Sequence, residues 1–405
     1  MCAMHDAPLP QPAAQMSSGQ EACTPQFIGS EIYRHSSYGT KHPLSIPRVS
    51  TCIDLCRAMG WLPENVYHDS PLATHQQLAR FHDPAYIAAV QAAERTQHTS
   101  AEVRARHDLG ARGNPIFPEM FRRPATAAGG SILAARMLLD RPGKVHSPAG
   151  GTHHGQRDRA SGFCYFNDPV LALLTLLDSG LSRVLYLDTD AHHADGVQDA
   201  LHGDPRVLMI SVHEDGRWPM ATAADGTVKG SARDIAGGAA RNIPVPPDFN
   251  DDEMAYVLEA AVLPLIDAFE PEAIVIQGGS DACADDPLSR LGLSNTALWR
   301  VVRSVMDLAP RTLMLGGGGY NPWSVGRTWA GFWAVLNGFE IPARVTPEAE
   351  RVLRGLSWRH SRGRNPPESW FTALADPPRR GPLRPAVREA VAAALAASPV
   401  HDTAC

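Results

Sequence analysis

The sequence predicts an α/β fold in three layers, with a central, mostly parallel sheet and helices on both of its faces. Three observations predict it. Five short apolar runs, Lys144 to His146, Val184 to Leu187, Val207 to Ile210, Ala273 to Ile276 and Thr312 to Leu315, lead into polar or glycine-rich clusters. Segments with helical spacing alternate with them, at Gly130 to Leu139, Asp168 to Leu177, Asp252 to Phe269 and Asn295 to Leu308. No internal repeat and no long linker divides the region from Phe27 to about Pro342. Strands alternating with helices read as a parallel sheet with helices on both faces, and such sheets gather ligands at the carboxyl ends of their strands. The polar clusters sit at those ends.

The bulk composition excludes several function classes. Of 405 residues, 44% are hydrophobic and 20% charged, an ordinary globular profile. A net charge of −6 offers no basic field for direct nucleic-acid binding or for an anionic membrane. The seven cysteines, Cys2, Cys23, Cys52, Cys56, Cys164, Cys283 and Cys405, are odd in number and scattered. That argues against a disulfide framework and for a reducing compartment. Cys52 and Cys56, four apart on a predicted helix, read as two small core residues. Met1 to Gln26 lacks the basic start and apolar stretch of a signal peptide, and Val170 to Leu177 is too short to span a bilayer. The expectation is a cytoplasmic protein, free to oligomerise, with a disordered segment over 1–25, one domain over 26–345 and an extension over 346–405. The extension is rich in Arg and Pro from Ser357 to Pro385, then closes with an Ala-rich helix, Val387 to Ala397.

The richest chemistry follows the run Val184 to Leu187, where Asp188, Asp190, His192, His193 and Asp195 crowd into eight residues. Side chains alternate along a strand, so Asp188, Asp190 and His192 point the same way if the extended geometry persists. Burying them together is costly unless they are paired or hold a cation, and carboxylate with imidazole suits a first-row metal. A second cluster, Gly150 to Gly155, carries His153 and His154 between glycines. A His-His pair alone is no more than a polar turn. Beside Asp188 and Asp195 it acquires partners that set each ring's tautomer. Asp281, after Gln277-Gly278-Gly279-Ser280, offers one more carboxylate to complete an Asp-His-Asp metal shell with an open position. The run Gly316 to Gly319 implies a tight approach, and Tyr320 after it can offer a phenolic hydroxyl to an oxyanion.

Taken together, Gly150 to Gly155, Ser161 to Asp168, Asp188 to Gly196, Ser211-Val212-His213, Asp285 to Leu288 and Gly316 to Tyr320 resemble the histone deacetylase superfamily, and most of all its bacterial acetoin-utilisation branch. The resemblance runs from about Phe27 to Pro342, in the family's order and spacing. It implies the three-layer arginase/deacetylase-like fold and hydrolysis of N-acetyl-lysine by a catalytic zinc on Asp190, His192 and Asp281. It further implies His153 and His154 as the paired histidines beside the attacking water, backed by Asp188 and Asp195, with Tyr320 donating to the tetrahedral oxygen. Gly162, Phe163, Trp218, Leu288 and Gly318 would line a tunnel for the acyl-lysine stem. The family also binds potassium close to the zinc, and Asp188 with Ser211 fall where such a site lies.

Three departures matter. Gly113 stands before Asn114-Pro115 where many members place an aspartate that clamps the substrate backbone, which favours an alternative substrate class, small acylated amines such as acetylpolyamines. Gly155 and Ala194 exchange one small residue for another, and Trp218 is larger than the aromatic common there. Two further readings are weaker. A two-manganese ureohydrolase site would need a carboxylate where Cys283 stands, and a catalytically silent acyl-lysine binder would be expected to have lost a ligand or the tyrosine.

Overall fold

The apolar runs become strands of one eight-stranded sheet. The structure is a computed structural model describing residues 24–396 apart from 112 and 223–225, so the first 23 positions of the predicted disordered segment lie outside the described residues. In chain order the strands are β1 (Gln26–Gly29), β2 (Tyr67–Asp69), β3 (Gly143–Ser147), β4 (Val184–Asp188), β5 (Val207–Glu214), β6 (Ala240–Val245), β7 (Ala273–Gln277) and β8 (Arg311–Leu315). Their spatial order is β2-β1-β3-β8-β7-β4-β5-β6, and every pairing is parallel. The five predicted runs are all strands. Three strands were not predicted: β1 and β2 are too short to show a period, and the edge strand β6 carries Arg241, Asn242 and Pro244.

Alternation along the strands fills two cores. Leu185, Leu187, Ile274 and Ile276 enter the core on one face, whereas Val184, Tyr186, Ala273 and Val275 enter the core on the other. The second face is covered by helices Arg122–Asp140 and Asp168–Asp178. The first is covered by helices Val49–Ala58, Asn295–Val305 and Pro322–Asn337 and by the segment Asp251 to Phe269. Cys52 and Cys56 lie in that first core, fully buried.

Two helices differ from the predicted spans for local reasons. Arg122–Asp140 starts eight residues before Gly130 and runs through Gly129, where a Cβ would sit 1.8 Å from the Pro71 carbonyl oxygen, so the glycine there serves close packing and does not mark a helix end. The predicted helix Asp252 to Phe269 is two α-helices, Asp251–Val257 and Leu263–Phe269, joined by a π-helical turn, Leu258–Val262. Pro264 has no N–H to give to a regular i−4 bond, which makes that turn the place to absorb the defect.

The segment after 346 packs on the same core. Leu353, Trp370, Leu374, Val387 and Val391 join the first core, and the predicted closing helix spans Pro385–Ala396. Arg384 grips Glu253 with Nε and Nη2, both at 2.7 Å, and the buried Arg327 reaches Asp376 at 2.6 Å. All four described free cysteines are buried, and no helix among the described residues is long and apolar enough to cross a membrane.

Two buried histidines each contribute stability that is lost in acid. Burial lowers His82 and His146 from 6.5 to about 4, so both rings are neutral in the folded chain above that pH. The unfolded chain binds more protons between these limits, so stability falls as the pH drops from 6.5 towards 4. The change in urea-unfolding free energy between pH 7 and pH 5 is expected to differ between His146→Gln and the unaltered chain by about 2 kcal/mol or less, the variant losing less stability on acidification.

Candidate active site

Four adjacent strands in the middle of the sheet, β3, β8, β7 and β4, deliver the polar clusters to one crevice. The extended geometry stops at Asp188, which changes what the alternation implied. Asp188 turns one oxygen to Asp190 N–H at 2.8 Å and the other to His153 Nδ1 and to the Tyr186 hydroxyl, both at 2.8 Å. Asp190 and His192, carried past the strand end, face Asp281 instead. Their ligand atoms and one from Asp281 lie within 4.8 Å of one another, all three residues buried. His192 Nδ1 is 2.9 Å from Asp281 Oδ2 and 3.2 Å from Asp190 Oδ1.

This donor set fits a divalent cation. Burial opposes charge on Asp281, and the Asp190 carboxylate beside it adds to that, together raising it to about 6. Burial also opposes charge on His192, yet Asp190 and Asp281 outweigh it and raise the ring to about 10. Two buried carboxylates that draw positive charge so strongly onto an imidazole would draw a metal in place of the proton. The backbone closes around them. Gly318 N–H donates to Asp190 Oδ2 at 2.6 Å and Ala191 N–H to Asp281 Oδ1 at 3.0 Å. A Cβ on Gly318 would lie 2.1 Å from Asp281 Oδ2, which is the close approach that the glycine run makes possible.

The two histidines stand side by side. Their Nε2 atoms are 2.9 Å apart, while the Nδ1 atoms bond outwards, His153 to Asp188 at 2.8 Å and His154 to Asp195 at 2.7 Å. Identical residues differ in proton affinity. Burial and the neighbouring His153 outweigh Asp195 and lower His154 to about 4, whereas Asp188 and Asp190 outweigh burial and raise His153 to about 9. Tyr320 is held by its N–H on Asp286 at 2.7 Å, and burial with Asp281 and Asp190 nearby keeps its phenol protonated well above the usual range.

A cavity of about 780 Å³ leads to these groups, lined by Gly113, His154, Gly162, Phe163, His192, Trp218, Leu288 and Tyr320. His153 is absent from that lining and sits behind His154. Gly162 and Phe163 have φ of 53° and 70°, and a Cβ on Gly162 would lie 2.5 Å from the Trp218 ring. Phe163 N–H is held by Asn114 Oδ1 at 3.1 Å. Asp188 and Ser211 are register partners across β4 and β5, with the Ser211 hydroxyl on His213 Nδ1 at 2.8 Å.

Supporting groups escaped the sequence reading. Asp168 accepts from Gly151 N–H, Thr152 N–H and the Ser131 hydroxyl and so fixes the histidine loop. Asp286 accepts from both Tyr320 and Leu288 N–H. Tyr186 looked like one more core residue, yet its hydroxyl bridges Asp188 and Gln277. Asp168 and Asp286 both lie within the motifs that carry the family resemblance, Ser161 to Asp168 and Asp285 to Leu288, but nothing in the local sequence assigned them a role.

Comparison with known proteins agrees with the geometry. A family model described as the histone deacetylase domain matches residues 42–336. The acetoin utilization protein AcuC of Bacillus subtilis is 32% identical over 330 residues, 80% of this chain and 84% of that protein. AcuC of Staphylococcus aureus strain MSSA476 is 29% identical over 366 residues, 88% and 92% of the two chains. The crystal structure of an HDAC homologue from Aquifex aeolicus superposes with a TM-score of 0.85 at 32% identity, covering 92% of this chain and all of the other. An HDAC homologue complexed with SAHA superposes with a TM-score of 0.86.

Metal titration tests the triad. One divalent ion per chain is expected by calorimetry, and Asp281→Ala is expected to weaken binding beyond the ~10–100-fold typical of losing a residue behind a ligand.

Proposed function

The chain belongs to the histone deacetylase family, and from that premise we propose that it hydrolyses the acetyl-amide bond of N-acetyl-lysine in proteins with zinc as its metal. The observation that carries this reading is the histidine pair, each ring backed by its own carboxylate, beside the Asp190–His192–Asp281 triad at the base of the cavity. A zinc ion held by those three residues would polarise the amide carbonyl and acidify water near neutral pH. A potassium ion beside Asp188 and Ser211 belongs to the same proposal, as does a deacetylase domain over 26–345.

The protein's own residues supply the rest. His154 lines the cavity, and Asp195 on Nδ1 fixes its tautomer so that Nε2, 2.9 Å from His153 Nε2, is the acceptor through which the pair takes the proton of the attacking water. The pair then returns a proton to the departing lysine nitrogen, with Asp188 holding the positive charge on His153. Tyr320, kept as a neutral phenol, donates a hydrogen bond from its hydroxyl to the oxygen of the tetrahedral intermediate. Gly162, Phe163, Trp218 and Leu288 enclose the aliphatic stem.

A second reading rests on Gly113. It lines the cavity without a carboxylate, which removes a backbone clamp and makes small acylated amines reasonable substrates. A fluorogenic acyl-lysine panel with and without chelator decides. Turnover of acetyl-lysine, lost on chelation and restored by zinc, is the expected outcome. A preference of orders of magnitude for a free acetylated amine would overturn the protein-lysine substrate, and inactivity of the zinc-loaded chain on every acyl-amide would overturn the deacetylase itself. Tyr320→Phe is expected to lower kcat by about 100–1000-fold.

A further inference from the structure

The mouth of the catalytic cavity carries the opposite charge to the protein. The chain has a net charge of −6, yet Arg159, Arg217 and Arg290 line the cavity rim against one lining carboxylate, Asp108. A second cleft of about 640 Å³ shares Leu288 and Tyr320 with the first and adds Lys41 and Arg359, with no acid in its lining. Five cationic side chains therefore surround the entrance. Two of them are fixed by a buried acid: Glu214 accepts from Arg217 Nη2 at 3.0 Å and from Arg290 Nε at 2.8 Å. Glu214 is fully buried, so its charge is turned inward while both guanidinium groups reach the rim. Asp108 is partly satisfied, accepting from Asn114 Nδ2 at 2.7 Å. Lys41, Arg159 and Arg359 are exposed and make no ion pair with a carboxylate among the described residues.

The second cleft also gives the C-terminal extension a place in the site. Ser357 to His360 form one wall of it, and Arg362 Nη1 donates to the Asp286 carbonyl oxygen at 2.7 Å, next to the loop that carries Leu288. A polypeptide whose lysine enters the tunnel would have chain to lay in the clefts on either side.

We propose that this cationic mouth selects acyl-lysine presented in an acidic polypeptide segment, whose flanking carboxylates meet Arg159, Arg217 and Arg290 on one side of Tyr320 and Lys41 and Arg359 on the other. This rests on the deacetylase reading and narrows its substrate class. Arginine forks suit carboxylates, and a mouth with five cations against Asp108 and Glu214 keeps a net positive charge that steers anionic partners and disfavours cationic ones. A cationic acetylpolyamine meets repulsion at the same place.

The test uses the full chain and three labelled peptides of one length, each with a central acetyl-lysine flanked by Glu, Gln or Lys. Fluorescence anisotropy at low ionic strength is expected to rank them Glu, Gln, Lys, with steps of roughly five- to tenfold that shrink as salt rises. Arg159→Glu with Arg359→Glu is expected to bring the Glu-to-Lys ratio towards one, and the salt dependence of the unaltered chain carries the test if that variant does not fold. Equal binding of the three peptides, or tighter binding of the Lys peptide or of N-acetylspermidine, overturns the inference. Turnover of an uncharged fluorogenic acetyl-lysine reagent separates the two levels. A chain that cleaves it but ignores peptide charge remains a deacetylase without this selectivity, whereas one that prefers the acidic peptide and cleaves no acyl-amide sinks the deacetylase reading.

Discussion

Two carboxylates, Asp190 and Asp281, buried side by side at the ends of β4 and β7, are the constraint around which this molecule is arranged. Like charges in a dry crevice repel, and the cost is met only by positive charge and by donors aimed at them. His192 supplies the first, and the N–H groups of Ala191 and Gly318 supply the second. The glycine run after β8 exists to let backbone approach that closely. Any side chain at 318 would occupy the carboxylate's own position.

Further acids, buried or nearly so, hold the working parts in place. Asp168 anchors the loop bearing His153 and His154, Asp188 and Asp195 set their tautomers, and Asp286 positions both Tyr320 and Leu288. Each of these acids spends its oxygens on defined donors, which is what makes burial tolerable and the geometry stiff. The two histidines illustrate the consequence. With the same side chain and touching rings, they differ in proton affinity because Asp188 and Asp190 together outweigh burial at His153, whereas burial and the neighbouring ring outweigh Asp195 at His154.

The entrance follows a different logic, being exposed, cationic and built from segments far apart in sequence. Loops near 41, 159 and 217, the turn at 288–290 and the extension at 357–360 meet there. The extension shares the main core through Trp370, Leu374 and Val387, so it is pinned where it can form a wall of the second cleft.

The layered α/β fold was legible because four of the five runs are apolar on both faces, as a buried parallel strand needs, and helical segments alternate with them. The candidate site was legible because its ligands cluster at strand ends, within a few residues of each run. Local sequence failed where the cause was remote: Gly129 lies inside a helix, packed closely against Pro71, and Tyr186 is a hydrogen-bond bridge because Gln277 lies on the neighbouring strand. By itself, then, the sequence determined the sheet, its helices and the identity of the chemical groups, since propensity and patterning act over a few residues. Only the tertiary structure decided that the strand geometry ends at Asp188, so that the alternation does not carry through to Asp190 and His192, that the two rings differ in proton affinity, and that the mouth is cationic on an acidic protein. Burial and distance set those properties, and both are made by parts of the chain that are strangers in sequence.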